Sequence, residues 1–220
     1  MRIPAFNTLQ EAFLYCRNMD ASLNERLEAF SEATRYLIPG YQEAVDRMVK
    51  RLKAYDVGQG APSPGEPMPP FAMPDEEGHI VTLADLLSRG PLAMTFHRGH
   101  WCPYCRISAR ALAEAQDRIA ADGAHVAAIM PERQQFAAMF KSEGGVRYPV
   151  LTDIDNGYAL SLNLAIWVGP KCNRFWSQAA EGFQSTRAIR LGCCRSRPSS
   201  SSPRMGSSQL ALSIQTIETA

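Results

Sequence analysis

Pro91-Leu92-Ala93-Met94-Thr95-Phe96-His97-Arg98-Gly99-His100-Trp101-Cys102-Pro103-Tyr104-Cys105 decides how this chain is read. Its first seven residues are a short apolar run bounded by Gly90 and Gly99, the pattern of a buried strand. From Cys102 to Ala121, Ile107, Leu112 and Ile119 recur among many alanines, which predicts a long helix closing at Asp122-Gly123. The alternation then repeats. His125–Met130 is a second apolar strand ending at Pro131, and Glu132–Glu143 is helical with Phe136, Met139 and Phe140 on one side. Tyr148–Leu151 is a brief extended piece, and Asn156–Ala165 is expected to be another helix with Asn156 as its cap. Strand and helix in this order predict a parallel α/β sheet with right-handed crossovers.

Upstream, residues 58–74 carry Gly58, Gly60, Pro62, Pro64, Gly65, Pro67, Pro69, Pro70 and Pro74, a density that predicts a linker without regular structure. Asp75–Gly78 reads as a turn, His79–Leu83 as a short strand and Ala84–Ser88 as a helical turn. Residues 1–57 read as a helical N-terminal extension. Thr8-x-x-Glu11 and Ser22-x-x-Glu25 both fit a capping box, in which hydroxyl and carboxylate satisfy free backbone N–H groups. After Ser22 an apolar stripe runs through Leu23, Leu27, Phe30, Leu37, Tyr41, Val45, Met48, Leu52 and Tyr55, and Pro39-Gly40 breaks it into two helices or kinks one. The stripe is expected to pack on the main domain; contact with a second copy in a homodimer is the alternative.

Downstream, residues 75–171 form the α/β domain and residues 172–220 read as a disordered tail. Arg195-Ser196-Arg197-Pro198 leads into a run of serines, with no strand alternation and no helical stripe, a composition too polar to bury a core. Charge divides at the same place. Residues 1–171 hold 17 Lys+Arg against 20 Asp+Glu, net −3, and residues 172–220 hold 6 Arg against 2 Glu, net +4. The Arg, Ser, Cys and Pro excess after Lys171 looks like GC-rich coding sequence read in a shifted frame. Resequencing the gene tests this: another frame is expected to restore two apolar strands and a proline loop.

Formal net charge is +1, so electrostatics argue for neither nucleic acid nor an acidic membrane as partner. No run of 18 apolar residues occurs and no basic segment precedes an apolar one at the start, so a soluble, cytoplasmic protein is expected. Six cysteines in 220 residues are too few for a disulfide scaffold. In a reducing compartment a close cysteine pair reads as redox or metal chemistry. Structural zinc needs about four ligands, and only one Cys-x-x-C is present; no metal and no cofactor are called for.

The redox reading follows from where the pair sits. The thiolate is the nucleophile, and free N–H groups with the helix dipole stabilise an anion in a first helical turn. Cys102 at the helix start should therefore have a lowered pKa, and Cys105, one turn in, should be the more sheltered. The i, i+3 spacing puts both sulfurs on one face, close enough for a disulfide. Pro103 fits an early helical position, where its missing N–H costs nothing. Arg98 and His100 flank the pair and can add positive charge favouring the thiolate. Cys16 reads as a small core residue and His125 as structural.

Phe96-His97-Arg98-Gly99-His100-Trp101-Cys102-Pro103-Tyr104-Cys105-Arg106 resembles the active-site stretch of the peroxiredoxin-like proteins of the alkyl hydroperoxide reductase C and thiol-specific antioxidant group. The resemblance spans about Leu23 to Lys171 and includes Pro69-Pro70-Phe71 and Pro149-Val150-Leu151-Thr152-Asp153. It implies a thioredoxin fold and a peroxidase reducing hydrogen peroxide or organic hydroperoxides, recycled by thioredoxin or a similar dithiol. Cys102 takes the peroxidatic position and Cys105 the resolving one, with Arg98, His100, Trp101 and Pro103 as the substrate-binding candidates. Two features depart from the group. Thr95 and Gly99 stand where it carries a Pro and a Thr, which brings the local chemistry closer to a thioredoxin acting on disulfides. The group's cis-proline loop and final strands have no counterpart after Lys171, so C-terminal strands are expected to be missing, and an inactive truncated product is the alternative to either activity.

Overall fold

The computed structural model describes residues 4–56, 58, 61–63, 65–167 and 209–211. Three helices open it: α1 (Leu9–Arg17), α2 (Leu23–Leu37) and α3 (Pro39–Ala54). Ser22 forms the full capping box, its backbone N–H donating to Glu25 Oε2 at 2.9 Å while its hydroxyl accepts from the Glu25 N–H at 3.4 Å. Thr8 forms half of one. Its hydroxyl accepts from Glu11 N at 3.2 Å, but the Glu11 carboxylate is drawn to Asn7 N instead. Pro39 occupies the first turn of α3, so the break at Pro39-Gly40 separates two helices.

The α/β part begins with the antiparallel pair β1 (Ala72–Pro74) and β2 (Ile80–Thr82), followed by the short helix α4 (Leu83–Leu87). Strand β1 corrects the expectation of an irregular 58–74. Its pairing with β2 outweighs local proline content, because Pro74 sits at the strand end and gives up no interior ladder donor. Then come β3 (Leu92–Phe96), α5 (Pro103–Ala121), β4 (His125–Met130), α6 (Gln134–Gly144) and β5 (Val150–Thr152). The three strands form one parallel sheet in the order β3-β4-β5. A further correction falls at residues 156–165. The helix there is only α7 (Gly157–Ser161), and Ala165–Trp167 is strand β6, paired antiparallel with β7 (Gln209–Ala211). Asn156 and Asn163, both with positive φ, bracket α7 and limit it to just over one turn. Strand β7 falls within the stretch expected to lack structure; the rest of that expectation, and the frame reading, lie outside the described residues.

Sheet burial follows the two-residue period of a strand. Leu92, Met94, Phe96, Ala127, Ile129 and Leu151 face a core closed by Phe71, Leu83 and Leu86. Val126, Ala128, Met130 and Val150 face the opposite way, onto Ala109 of α5 and Ala137 and Phe140 of α6. Both faces are covered, which is why these strands are apolar throughout rather than alternating. No helix among the described residues is long and apolar enough to cross a membrane.

A third core joins α1 and α2 to α5 through Ala12, Phe13, Cys16, Phe30, Ala33 and Ile107, so the α2 part of the stripe packs on the main domain, whereas Tyr55 at its far end is exposed. Phe30 meets Phe13 and Tyr104 edge-on, at centroid distances of 6.4 and 5.0 Å. The buried Arg26 fastens this layer: it donates to Arg17 O and Ala21 O at 3.0 Å and pairs with Glu114 of α5 at 2.7 Å. Phe30→Ala is therefore expected to cost about 3–5 kcal/mol, the range for a buried Phe leaving a cavity. Urea unfolding followed by circular dichroism checks this; an unchanged midpoint would mean that the helical layer contributes nothing to stability.

Candidate active site

The C-terminal ends of β3 and β4 lie side by side, and the chain leaving each builds the site. In open parallel sheets this edge is where ligands bind. After β3 the chain runs Arg98-Gly99-His100-Trp101 and enters α5 with Cys102 as its N-cap and Pro103 as its first residue. Cys102 Sγ accepts from the Cys105 N–H at 3.4 Å, taking up a donor that the helix start leaves free. Arg98 Nη2 donates to the same sulfur at 2.9 Å, and the Arg98 backbone N–H donates to Cys105 Sγ at 3.3 Å. Both cysteines are free thiols. One loop and one helix turn thus bring three hydrogen-bond donors onto two sulfurs.

Burial orders the pair opposite to the sequence expectation. Cys102 is 0% exposed and Cys105 8%. Cys102 lies in a core cluster against which Trp101 and Tyr104 pack, Tyr104 packs in turn on Phe30 of α2, and Tyr41 of α3 interacts electrostatically with Arg98. Arg98 itself is buried and lies 5.7 Å from the Trp101 ring and 5.9 Å from the Tyr104 ring. Burial raises the Cys102 thiol, yet the hydrogen bond from Cys105, the Arg98 charge and the Cys105 N–H outweigh it and bring the pKa down to about 6. Cys105 moves the other way: burial, its hydrogen bond to Cys102 and the Cys102 charge hold it well above the usual thiol value. The surroundings therefore favour the ionised form at Cys102 and the protonated form at Cys105.

The remaining candidates divide. Trp101 is half-buried and Pro103 opens the helix. His100 is buried, but its ring turns away from the sulfurs. Its Nε2 lies 3.1 Å from Glu143 Oε2, at ion-pair distance though outside hydrogen-bond geometry, and Arg106 pairs with the same carboxylate. Burial lowers the His100 pKa, partly offset by Glu143. His97, just past β3, bonds Thr95 Oγ1 at 3.1 Å and stacks near Phe140; burial takes its pKa down to about 4, so it is a neutral core group.

Sequence reasoning missed Glu132. It follows Pro131 at the end of β4, and its Oε2 accepts the His100 backbone N–H. The carboxyl also fills the space beside Gly99. A Cβ there would fall 2.8 Å from the Glu132 carboxyl and 2.7 Å from Trp101 Nε1, and Gly99 has φ +140°. Gly99 is thus required twice, by backbone conformation and by space. Burial raises Glu132 to about 7, the His100 hydrogen bond lowers it, and the Cys102 charge raises it again. A glutamate just after an apolar strand that runs parallel to the cysteine strand was the available signal.

Arg98→Met should raise the Cys102 midpoint by about 1–3 pH units, the effect of removing an adjacent cation. Thiolate absorbance near 240 nm, taken as a difference against Cys102→Ser, reads this directly. A midpoint that stays near 6 would assign the depression to the Cys105 side chain and the helix terminus.

With this geometry in place, likeness to known proteins takes on meaning. Residues 64–170 match the model of the AhpC/TSA family. Two Mycobacterium tuberculosis proteins named as peroxiredoxins, one from strain CDC 1551 and one from strain H37Rv, are 29% identical over 93 residues, covering 42% of this chain and 59% of theirs. The chain therefore spans 59% of the length of the curated relatives it matches. Among solved structures, peroxidoxin BcpB from Mycobacterium tuberculosis shares 24% identity at a TM-score of 0.45, over 47% of this chain and 67% of that one. Over residues 64–170, just under half of its length, the chain is thus similar to the AhpC/TSA family.

Proposed function

We propose that this chain is a thiol-dependent peroxidase that uses Cys102 as nucleophile and Cys105 as resolving thiol. The observation that carries the reading is the buried Arg98 guanidinium, 2.9 Å from a sulfur whose pKa lies near 6. At neutral pH that sulfur is a thiolate. It attacks one peroxide oxygen, the O–O bond breaks, and Cys102 becomes a sulfenic acid. The protonated Cys105 thiol then displaces water from the sulfenic acid to form the Cys102–Cys105 disulfide. An external dithiol such as thioredoxin reduces that disulfide in two exchange steps.

Accessibility favours peroxide over a protein disulfide as oxidant. A sulfur with no exposed surface admits a molecule of two heavy atoms far more readily than a disulfide on another protein. The same enclosure means that recycling by a protein dithiol requires the loop or the helical layer to open. Thiol–disulfide exchange is the second reading. What favours it is Gly99 at the position where the resembling group has a threonine hydroxyl, and a pair of sulfurs already joined through one helix turn.

Mixing reduced protein with hydrogen peroxide in stopped flow, with Trp101 fluorescence as reporter, tests the proposal. The expected signal is at least about tenfold faster than a free thiol of ordinary pKa at pH 7. It should vanish in Cys102→Ser, whereas Cys105→Ser should stop at a sulfenic acid that dimedone labels. A rate equal to that of a free thiol would reject the peroxidase reading and leave disulfide exchange to be tried with oxidised glutathione.

A further inference from the structure

Peroxide cleavage leaves a basic oxygen that needs a proton, and the described residues offer few sources. Arg98 does not give up its proton in water-accessible pH ranges. The neutral His97 ring is committed to Thr95 and the core. The His100 ring faces Glu143, with Arg106 closing that group. Tyr104 is hydrogen-bonded to Thr34 and Ser31 of α2, and Tyr41 is turned to Arg98. The Cys105 proton is needed for the resolving step.

We propose that Glu132 is the proton donor to the leaving oxygen when Cys102 is oxidised, acting directly or through one water. This rests on the peroxidase reading above. Three features of the geometry carry it. Glu132 leaves the C-terminal end of β4, beside the end of β3 that delivers the cysteine loop, so both stand on the same edge of the sheet. Its carboxyl accepts the His100 N–H and lies against Gly99, residues two and three positions before Cys102 in the cysteine loop. It also interacts electrostatically with Cys102 itself. The groups facing it are His100 through its backbone and Cys102 through its charge, while the next residue, Arg133, is exposed.

In the step, the Cys102 thiolate forms an S–O bond to one oxygen of hydrogen peroxide and the O–O bond breaks. The electron pair goes to the departing hydroxide, which takes the Glu132 proton and leaves as water. Cys102 is oxidised to sulfenic acid, peroxide is reduced, and solvent reprotonates Glu132. Burial suits the carboxyl to this task, since it keeps a proton up to about pH 7, where the thiol has already lost its own.

The test is the pH profile of the peroxide reaction in wild type and Glu132→Gln. Glutamine keeps an oxygen to accept the His100 N–H, so the loop is held while the proton is lost. Wild type should give a bell, rising near pH 6 with the thiolate and falling above about 7 as Glu132 ionises. Glu132→Gln should lose the falling limb and run about 100-fold slower at the optimum, within the usual range for one proton donor. Its thiolate titration at 240 nm should keep its midpoint. A Glu132→Gln bell that keeps its basic limb overturns the proposal while leaving the peroxidase reading intact. So does a slowing that is uniform at every pH, the mark of a structural role. Absence of any Cys102-dependent peroxide reaction in wild type overturns both.

Discussion

A guanidinium sealed from water is tolerable only beside an anion, and in this protein Cys102 lies 2.9 Å from Arg98 Nη2. The dependence runs both ways. Arg98 is held in its charged form by the two cysteines and Tyr41 against the pull of burial, and Cys102 is held as a thiolate by its hydrogen bonds with Cys105 together with Arg98. Removing one partner of such a buried pair leaves an uncompensated charge, which is far costlier than never having had the pair. The rest of the site serves this contact. Gly99 gives the loop its turn, Glu132 holds the His100 N–H, and Cys102 caps α5 so that the Cys105 N–H points at the sulfur.

The sheet makes the contact possible by being parallel. Strands β3 and β4 end at one edge, so the loop bearing Arg98 and the segment bearing Glu132 emerge together although 34 residues separate them. Helix α5 crosses back between them and aims its N-terminus at the same edge, where its unpaired N–H groups and dipole favour an anion. An antiparallel hairpin would send the two chain ends to opposite sides. The core beneath is apolar on both faces, which keeps the strand ends fixed and lets a short loop hold its geometry.

The N-terminal helices change the character of the site. A Cys-x-x-C pair at a helix start would ordinarily present its first sulfur to solvent; here Cys102 lies buried in a cluster packed by Trp101 and Tyr104, and Tyr104 is backed by Phe30 of α2. Enclosure lowers the local dielectric, which strengthens the Arg98–Cys102 attraction and raises the cost of any unpaired group nearby. Burial of the Glu132 carboxyl beside Gly99 likewise raises it to about 7.

Much of this was legible in the amino-acid sequence, for identifiable reasons. Period and punctuation gave β3, α5 and β4 nearly to the residue, because runs such as Leu92–Phe96 and His125–Met130 are long enough to show their pattern and end at Gly or Pro. The Ser22 capping box and the break at Pro39 are local chemistry and read directly. The place of Cys102 at the start of a helix was legible as well, since a cysteine between an apolar strand and a helix falls there by local pattern. Strand β1 among prolines and the shortness of α7 were not, because pairing with β2 and the positive-φ asparagines are decided by partners rather than by propensity. Nor could the sequence say that Cys102 is the more buried sulfur, that His100 turns to Glu143, or that Glu132 reaches the cysteine loop. Local spacing fixes what a helix start can do to a thiol. Which side chains from distant segments close over that thiol is settled only when sheet and helices pack, because burial and charge act through space and not along the chain.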